Sequence, residues 1–191
     1  MYEILFFMGG MGSPFREDPN DALNLLTSGN NPVRLLGDVR SVFLDIYTEP
    51  HLRDVQIGIS SRTDEPDWAR ELLTKFKVVS LGEDINFQGR DENEEFVYLE
   101  NIFNGPIEIA KDSKVDPNVD HFRRISLECG IDYEDILFFD NEYGNCQSVA
   151  SLGVSVVYCP DGVTREVWNM GLYDEFPRND GSVINGDQRG W

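Results

Sequence analysis

The chain has 191 residues, 40% of them hydrophobic, with 35 acidic against 16 basic side chains and a formal charge of −19. That length and apolar content suffice for one buried core, while so acidic a surface favours solubility and argues against binding nucleic acid or an anionic membrane. Cys129, Cys146 and Cys159 are too few and too widely spaced for a disulfide framework or a zinc site, so free thiols in a reducing, cytoplasmic compartment are expected.

In chain order, Glu3-Ile4-Leu5-Phe6-Phe7-Met8 is a candidate first strand. It lacks the basic flank of a signal peptide and the length of a membrane span. The Gly9 to Gly12 cluster lacks the Gly-Lys-Ser/Thr ending of a P-loop, and Gly12-Ser13-Pro14 lacks the pattern of a nucleophile elbow. Pro14 to Pro32 reads as a polar loop or cap with a short helix near Ala22 to Leu26, and Val39 to Ile46 as a helix. Val55 to Ser60 is apolar enough for a parallel strand, opening into Ser61-Arg62-Thr63-Asp64-Glu65-Pro66. Pro66 suits a first helical turn, and Trp68, Leu72, Leu73 and Phe76 follow at helical spacing.

The polar stretch from Gly82 to Glu95 reads as a loop, either a substrate lid or an exposed insertion. Ile107-Glu108-Ile109-Ala110 leads into Lys111-Asp112-Ser113-Lys114, and a helix is expected from about Val119 to Cys129, carrying Phe122, Ile125 and Leu127. Ile136-Leu137-Phe138-Phe139 then ends abruptly in Asp140-Asn141-Glu142, with a further strand from Val154 to Tyr158. Cys146 falls in the helix after Asp140 and Cys159 at the end of that last strand, so both thiols are expected to be buried. Residues 173–191 form a polar, glycine-containing tail in which fraying is expected.

Three strand ends therefore present three kinds of polar group. In open parallel sheets ligands sit beyond the carboxyl ends of the strands, where Asp140 could hold a divalent cation. The same acids also suit a helix N-terminus. Ser61 and its neighbouring N–H groups stand where an anion is welcome, or where a helix is capped. Lys114 is the best candidate for a phosphate-facing cation. His51 and His121 do not make a metal pair: His121 is expected to pack or hydrogen-bond within its helix, and His51 to lie in an exposed loop.

Ile59 to Pro66, Ser113-Lys114 ahead of Asp120-His121-Phe122, and Phe138 to Glu142 with Asn145 resemble motifs II, III and IV of the haloacid dehalogenase (HAD) superfamily. More narrowly, they resemble its magnesium-dependent phosphatase-1-like branch. The resemblance spans about residues 35–172, with the motifs in the right order. It implies an α/β fold, a three-layer Rossmann-like domain with a mainly parallel central sheet and no large cap. One domain over residues 1–172 follows, its first 35 residues divergent. The strands near Val55 to Ser60, Ile136 to Phe139 and Val154 to Tyr158 would lie parallel in one sheet, bringing Ser61, Lys114 and Asp140 to one edge.

The resemblance also implies chemistry. An aspartate attacks phosphorus to form an aspartyl-phosphate, later hydrolysed by water, while a second aspartate two residues on acts as general acid and base. Ser61 would hydrogen-bond a phosphoryl oxygen, Arg62 could make a forked contact with substrate or a surface ion pair, and Lys114 would neutralise charge on phosphoryl and nucleophile. Asp140, with Asn141, would bind Mg2+. The substrate would be a small phosphorylated metabolite or a phosphotyrosyl peptide.

One departure is plain: residues 1–35 contain no Asp-x-Asp motif. In relatives of this branch a segment like Met1-Tyr2-Glu3 follows shortly after that motif, so truncation, which could also have removed a targeting segment, is one explanation. The other is a silent pseudophosphatase acting as a phosphate-binding or protein-interaction module. Asp18, Asp21 and Asp38 are the reserve carboxylates, although none follows an apolar strand.

Overall fold

The computed structural model describes residues 2–3, 12–80, 96–109 and 116–187. The run Ile4 to Met8, the Gly82 to Glu95 loop, Ser113 and Lys114 lie outside the described residues. Near the N-terminus β1 (Tyr2–Glu3), β2 (Arg16–Asp18), β3 (Asp21–Leu26) and β4 (Pro32–Leu35) form an antiparallel sheet in the order β1-β4-β3-β2. The helix expected near Ala22 to Leu26 is thus a strand. Leu25 points into the core at 2% exposure, and the Leu23 carbonyl accepts a 2.5 Å hydrogen bond from Arg40. Tertiary pairing has overridden the helix propensity of Ala and Leu here.

Helix α1 (Val39–Thr48) buries Val39, Val42 and Phe43, the i, i+3, i+4 stripe that a core-facing helix needs. It leads through a 3-10 turn to β5 (Ile59–Ser61), shorter than the expected Val55 to Ser60 strand. Val55 is exposed, and the Ile57 N–H is taken by the Asn104 side chain at 2.7 Å instead of by a sheet partner. Helix α2 (Pro66–Lys75) starts on Pro66 and buries Ala69, Leu72 and Leu73. β6 (Lys77–Ser80) pairs antiparallel with β7 (Phe96–Tyr98), which runs into the single turn α3 (Leu99–Ile102). β8 (Ile107–Ile109) returns parallel to β5, with Ile109 opposite Ser61.

Helix α4 (Pro117–Cys129) begins with Asp116, whose carboxylate accepts the Asn118 N–H, and ends at Gly130 in the left-handed conformation, φ 66°. A carboxylate cap, a proline at the first position and a glycine stop are the local signals that bound this helix. β9 (Leu137–Asp140), α5 (Tyr143–Ala150) and β10 (Ser155–Tyr158) follow, with β9 and β10 parallel and Asp140 opposite Tyr158. After α6 (Arg165–Asn169) and a π-helical segment at Met170–Glu175, β11 (Val183–Asn185) adds to the other side of β10, also parallel. The expected frayed tail therefore completes a sheet.

β10 is buried on both faces, as strands of parallel sheets are. Val156 belongs to a cluster with Phe122 of α4 and Cys146, Val149 and Ala150 of α5, whereas Val157 packs with Val167 and Trp168 of α6. β9 repeats the alternation: Phe138 meets Phe122 edge-on at 4.9 Å, and Phe139 stacks on Trp168 at 5.6 Å. Gly171 permits the close approach of the π-helical segment, because a Cβ there would come within 2.9 Å of Phe139 and Val157. The β9-β10-β11 unit is thus layered between helices. The expected single parallel sheet is not confirmed: among the described residues the strands form four sheets, with β5-β8 separate from β9-β10-β11.

Candidate functional site

Asp140 closes β9. Its side chain is 8% exposed; Oδ1 accepts the Glu142 N–H at 2.6 Å and Oδ2 accepts the Asn145 side-chain amide at 3.3 Å. The first contact is the tight turn that Asp makes with a backbone two residues on; the second comes from α5, whose first turn faces Asp140 because β9 leads into it through only Asn141 and Glu142. Burial raises the Asp140 carboxyl above the ordinary carboxylate range. The Glu142 N–H, the Asn145 amide and the Arg62 charge oppose that rise, and the Glu142 carboxylate adds to it.

The thiols at this strand end are buried. Cys146 donates from Sγ to the Asp140 carbonyl at 3.5 Å, and the Cys159 N–H donates to the same oxygen at 2.9 Å. Burial pushes the Cys159 thiol up to about 12 and the Cys146 thiol upward as well. Both are fully buried free cysteines, while Cys129 is partly exposed.

Ser61, half-buried, is the last residue of β5, and the exposed Arg62 follows it. Among the described residues β5 and β9 belong to separate sheets, and the Arg62 charge favours the ionised form of Asp140. Lys114 lies outside the described residues, in the connection that leaves β8 after Ile109 and enters α4 at Pro117. Ile109, the last residue of β8, is the register partner of Ser61, so β8 ends at the same edge as β5. Asn141 sits in the bend after β9, half-buried.

The reserve carboxylates are engaged by backbone N–H groups, Asp18 and Asp21 locally and Asp38 across the fold. Asp18 accepts from the Asn20 N–H at 2.9 Å, Asp21 from the Leu23 N–H at 3.1 Å, and Asp38 from the Arg165 N–H at 2.9 Å. These are turn and cap bonds of the kind that position backbone.

Two residues of α4 bond toward the two strand ends, and of them Asn118 was not singled out in the sequence. Asn118, 3% exposed, donates from Nδ2 to Asn145 Oδ1 at 3.1 Å; His121, 1% exposed, lies with Nδ1 3.1 Å from Ser60 Oγ. The one available signal was polarity on a buried stripe: Asn118, His121, Phe122 and Ile125 fall at i, i+3, i+4 and i+7 of the helix, and all four are buried. His121 thus hydrogen-bonds within the interior, as expected. His51 lies on the exposed 3-10 turn, 3.1 Å from the Tyr173 hydroxyl.

The donor chemistry at the β9 end is all oxygen: the Asp140 carboxylate, the Asn141 amide and the Glu142 carboxylate. Such a set suits a hard cation such as Mg2+. Among the described residues no group of three or more His, Cys, Asp or Glu could enclose a metal ion. Mg2+ does not require such an enclosure, because it is commonly held by one or two carboxylates with water and phosphate oxygens completing its shell. The residues present therefore fit that ion. Among the described residues no helix is long and apolar enough to cross a membrane.

A family model described as acid phosphatase, a HAD-like family, matches residues 3–176. The chain is 28% identical over 146 residues to a HAD-like hydrolase superfamily protein of Schizosaccharomyces pombe, covering 75% of this chain and 70% of that protein. It is 32% identical over 54 residues to magnesium-dependent phosphatase 1 of Homo sapiens, covering 28% of this chain and 31% of that protein. The chain therefore belongs to the acid phosphatase family, a HAD-like family.

Proposed function

We propose that this chain carries the phosphoryl- and magnesium-binding part of a HAD-type phosphatase site acting on phosphate monoesters. The observation that carries the reading is the buried Asp140 carboxylate at the end of β9, with the Glu142 N–H on one oxygen and the Asn145 amide on the other. A carboxylate kept 8% exposed, at a cost in solvation, is where a cation gains most. Asp140 and Asn141 hold Mg2+, which when bound offsets the negative charge of a phosphate ester. Ser61 donates its hydroxyl to a phosphoryl oxygen, and Arg62 reaches the same group with a forked guanidinium. Lys114 neutralises phosphoryl and nucleophile charge.

Hydrolysis proceeds where an aspartate attacks phosphorus, expels the alcohol and is then freed by water. The substrates are small phosphorylated metabolites or phosphotyrosyl peptides, met in the cytoplasm. With a formal charge of −19 the protein repels anions at long range, so Arg62, Lys114 and the cation act locally.

A second reading is favoured by a specific observation. Residues 1–35 hold no Asp-x-Asp motif, and Asp18, Asp21 and Asp38 are engaged in turns and caps. The 191-residue chain by itself then binds Mg2+ and phosphate as a silent module. Hydrolysis of p-nitrophenyl phosphate, measured with calorimetric titrations of Mg2+ and inorganic phosphate, separates the two. Binding with turnover no faster than background is expected for the chain alone. Magnesium-dependent turnover that disappears in Asp140→Asn would show that an attacking group is present after all. Binding of neither ligand, or equal binding by Asp140→Asn, would overturn the assignment of the site.

A further inference from the structure

We infer that Asn118 is a positioning residue for Asp140, acting through the side-chain amide of Asn145; this rests on the proposed magnesium site. Asn145 is buried at 8% exposure and has one donating and one accepting end. Its Nδ2 donates to Asp140 Oδ2 at 3.3 Å, and its Oδ1 accepts from Asn118 Nδ2 at 3.1 Å. Turning the Asn145 amide over would set its oxygen against the Asp140 carboxylate and its NH2 against the Asn118 NH2. Both new contacts are repulsive. The Asp140 carboxylate, which only accepts, fixes the orientation of the Asn145 amide, and the Asn118 amide holds its other end in place.

Asn118 is itself held. It is 3% exposed, in the first turn of α4, with its backbone N–H donating to Asp116 Oδ1 at 2.9 Å. The same helix reaches the other strand end through His121 Nδ1 and Ser60 Oγ, 3.1 Å apart. At Asp140 the two oxygens are thus gripped separately, Oδ1 by the Glu142 N–H and Oδ2 by Asn145. An ionised carboxylate offers about four acceptor positions, so both oxygens retain room for a cation. Which way that remaining capacity points is set by the two grips, and one of them traces back to α4. Partners of this kind behind a metal-binding carboxylate typically contribute 10–100-fold in metal affinity.

The test is a double-mutant cycle read by calorimetric Mg2+ binding, on Asn118→Ala, Asn145→Ala and the double variant in the full chain. Asn118→Ala is expected to weaken Mg2+ binding about tenfold, and the double variant to bind no more weakly than Asn145→Ala alone. Affinity within twofold of the parent in Asn118→Ala, or losses that multiply in the double variant, would overturn the inference. Absence of Mg2+ binding in the parent chain strikes the proposed function instead, which distinguishes the two failures. Should a variant not fold, the parent protein gives a second reading by nuclear magnetic resonance. Slowly exchanging Asn145 side-chain amide protons whose signals shift on adding Mg2+ support the relay; rapidly exchanging protons unmoved by Mg2+ overturn it.

Discussion

At the level of single residues, Asp140 sets the proposed cation site against stability. Its folded-state pKa is raised, first by burial. The sign follows: the group's contribution to stability is fully present below the unfolded carboxylate value, about 3.9, and is lost as the pH rises through the raised folded value. Cation binding has the opposite sign, because only the ionised carboxylate is a ligand. Mg2+ should therefore add nothing to the melting temperature at a pH below that range and add progressively more as Asp140 ionises, while Asp140→Asn shows no Mg2+ increment at any pH. Thermal melts with and without Mg2+ across the range check this, and an equal increment in the variant would count against Asp140 as the ligand. The place of Asp140 at a buried strand end was legible in the sequence because the apolar run stops abruptly at an acid. Asn118 was not: its role depends on an amide 27 residues away, and nothing local marks that pairing.

At the level of elements, the legible ones carried their own boundaries. Pro66 opens α2, while Asp116, Pro117 and Gly130 bracket α4, so hydrophobic spacing and end signals agreed. The misread ones depended on distant partners. Asp21 to Leu26 contains good helix formers, yet its backbone is claimed by β2, β4 and the Arg40 guanidinium. Val183 and Ile184 are two apolar residues in a polar tail, too few to announce a strand without β10 beside them. The end of α4 gives a direct test of a local signal. A Cβ at Gly130 would meet nothing within 4 Å, so Gly130→Ala introduces only the strain of φ 66°. The expected loss is about 1 kcal/mol, read as a shifted denaturant midpoint with unchanged slope. A neutral result would mean that the helix ends without needing the left-handed turn.

At the level of the whole molecule, β11 shows where the working fold extends past what family likeness marks out. The acid phosphatase match stops at residue 176, before β11 begins at Val183. Yet β11 pairs in register with all of Val156, Val157 and Tyr158, and Ile184 packs into the main core at 3% exposure. The segment also holds β10 by two further bonds: the Arg178 N–H donates to Ser155 Oγ at 2.7 Å, and the Gly186 N–H to the Tyr158 carbonyl at 2.8 Å. Ending the chain after Phe176 would strip these away, leaving β10 with an open edge next to a fully buried strand interior. Losing one aliphatic side chain from the core costs about 1.5–3 kcal/mol, and each lost hydrogen bond about 1 kcal/mol more. That is a large part of the roughly 5–15 kcal/mol that holds a domain together. The shortened chain should melt on the order of 10 °C lower and bind a hydrophobic dye, with concentration-dependent association through the freed edge. Because β10 positions Tyr158 opposite Asp140, the loosened sheet should also bind Mg2+ more weakly. Melting and Mg2+ affinity matching those of the full chain would show that β11 merely rests on the domain, and that the fold ends where the family match does.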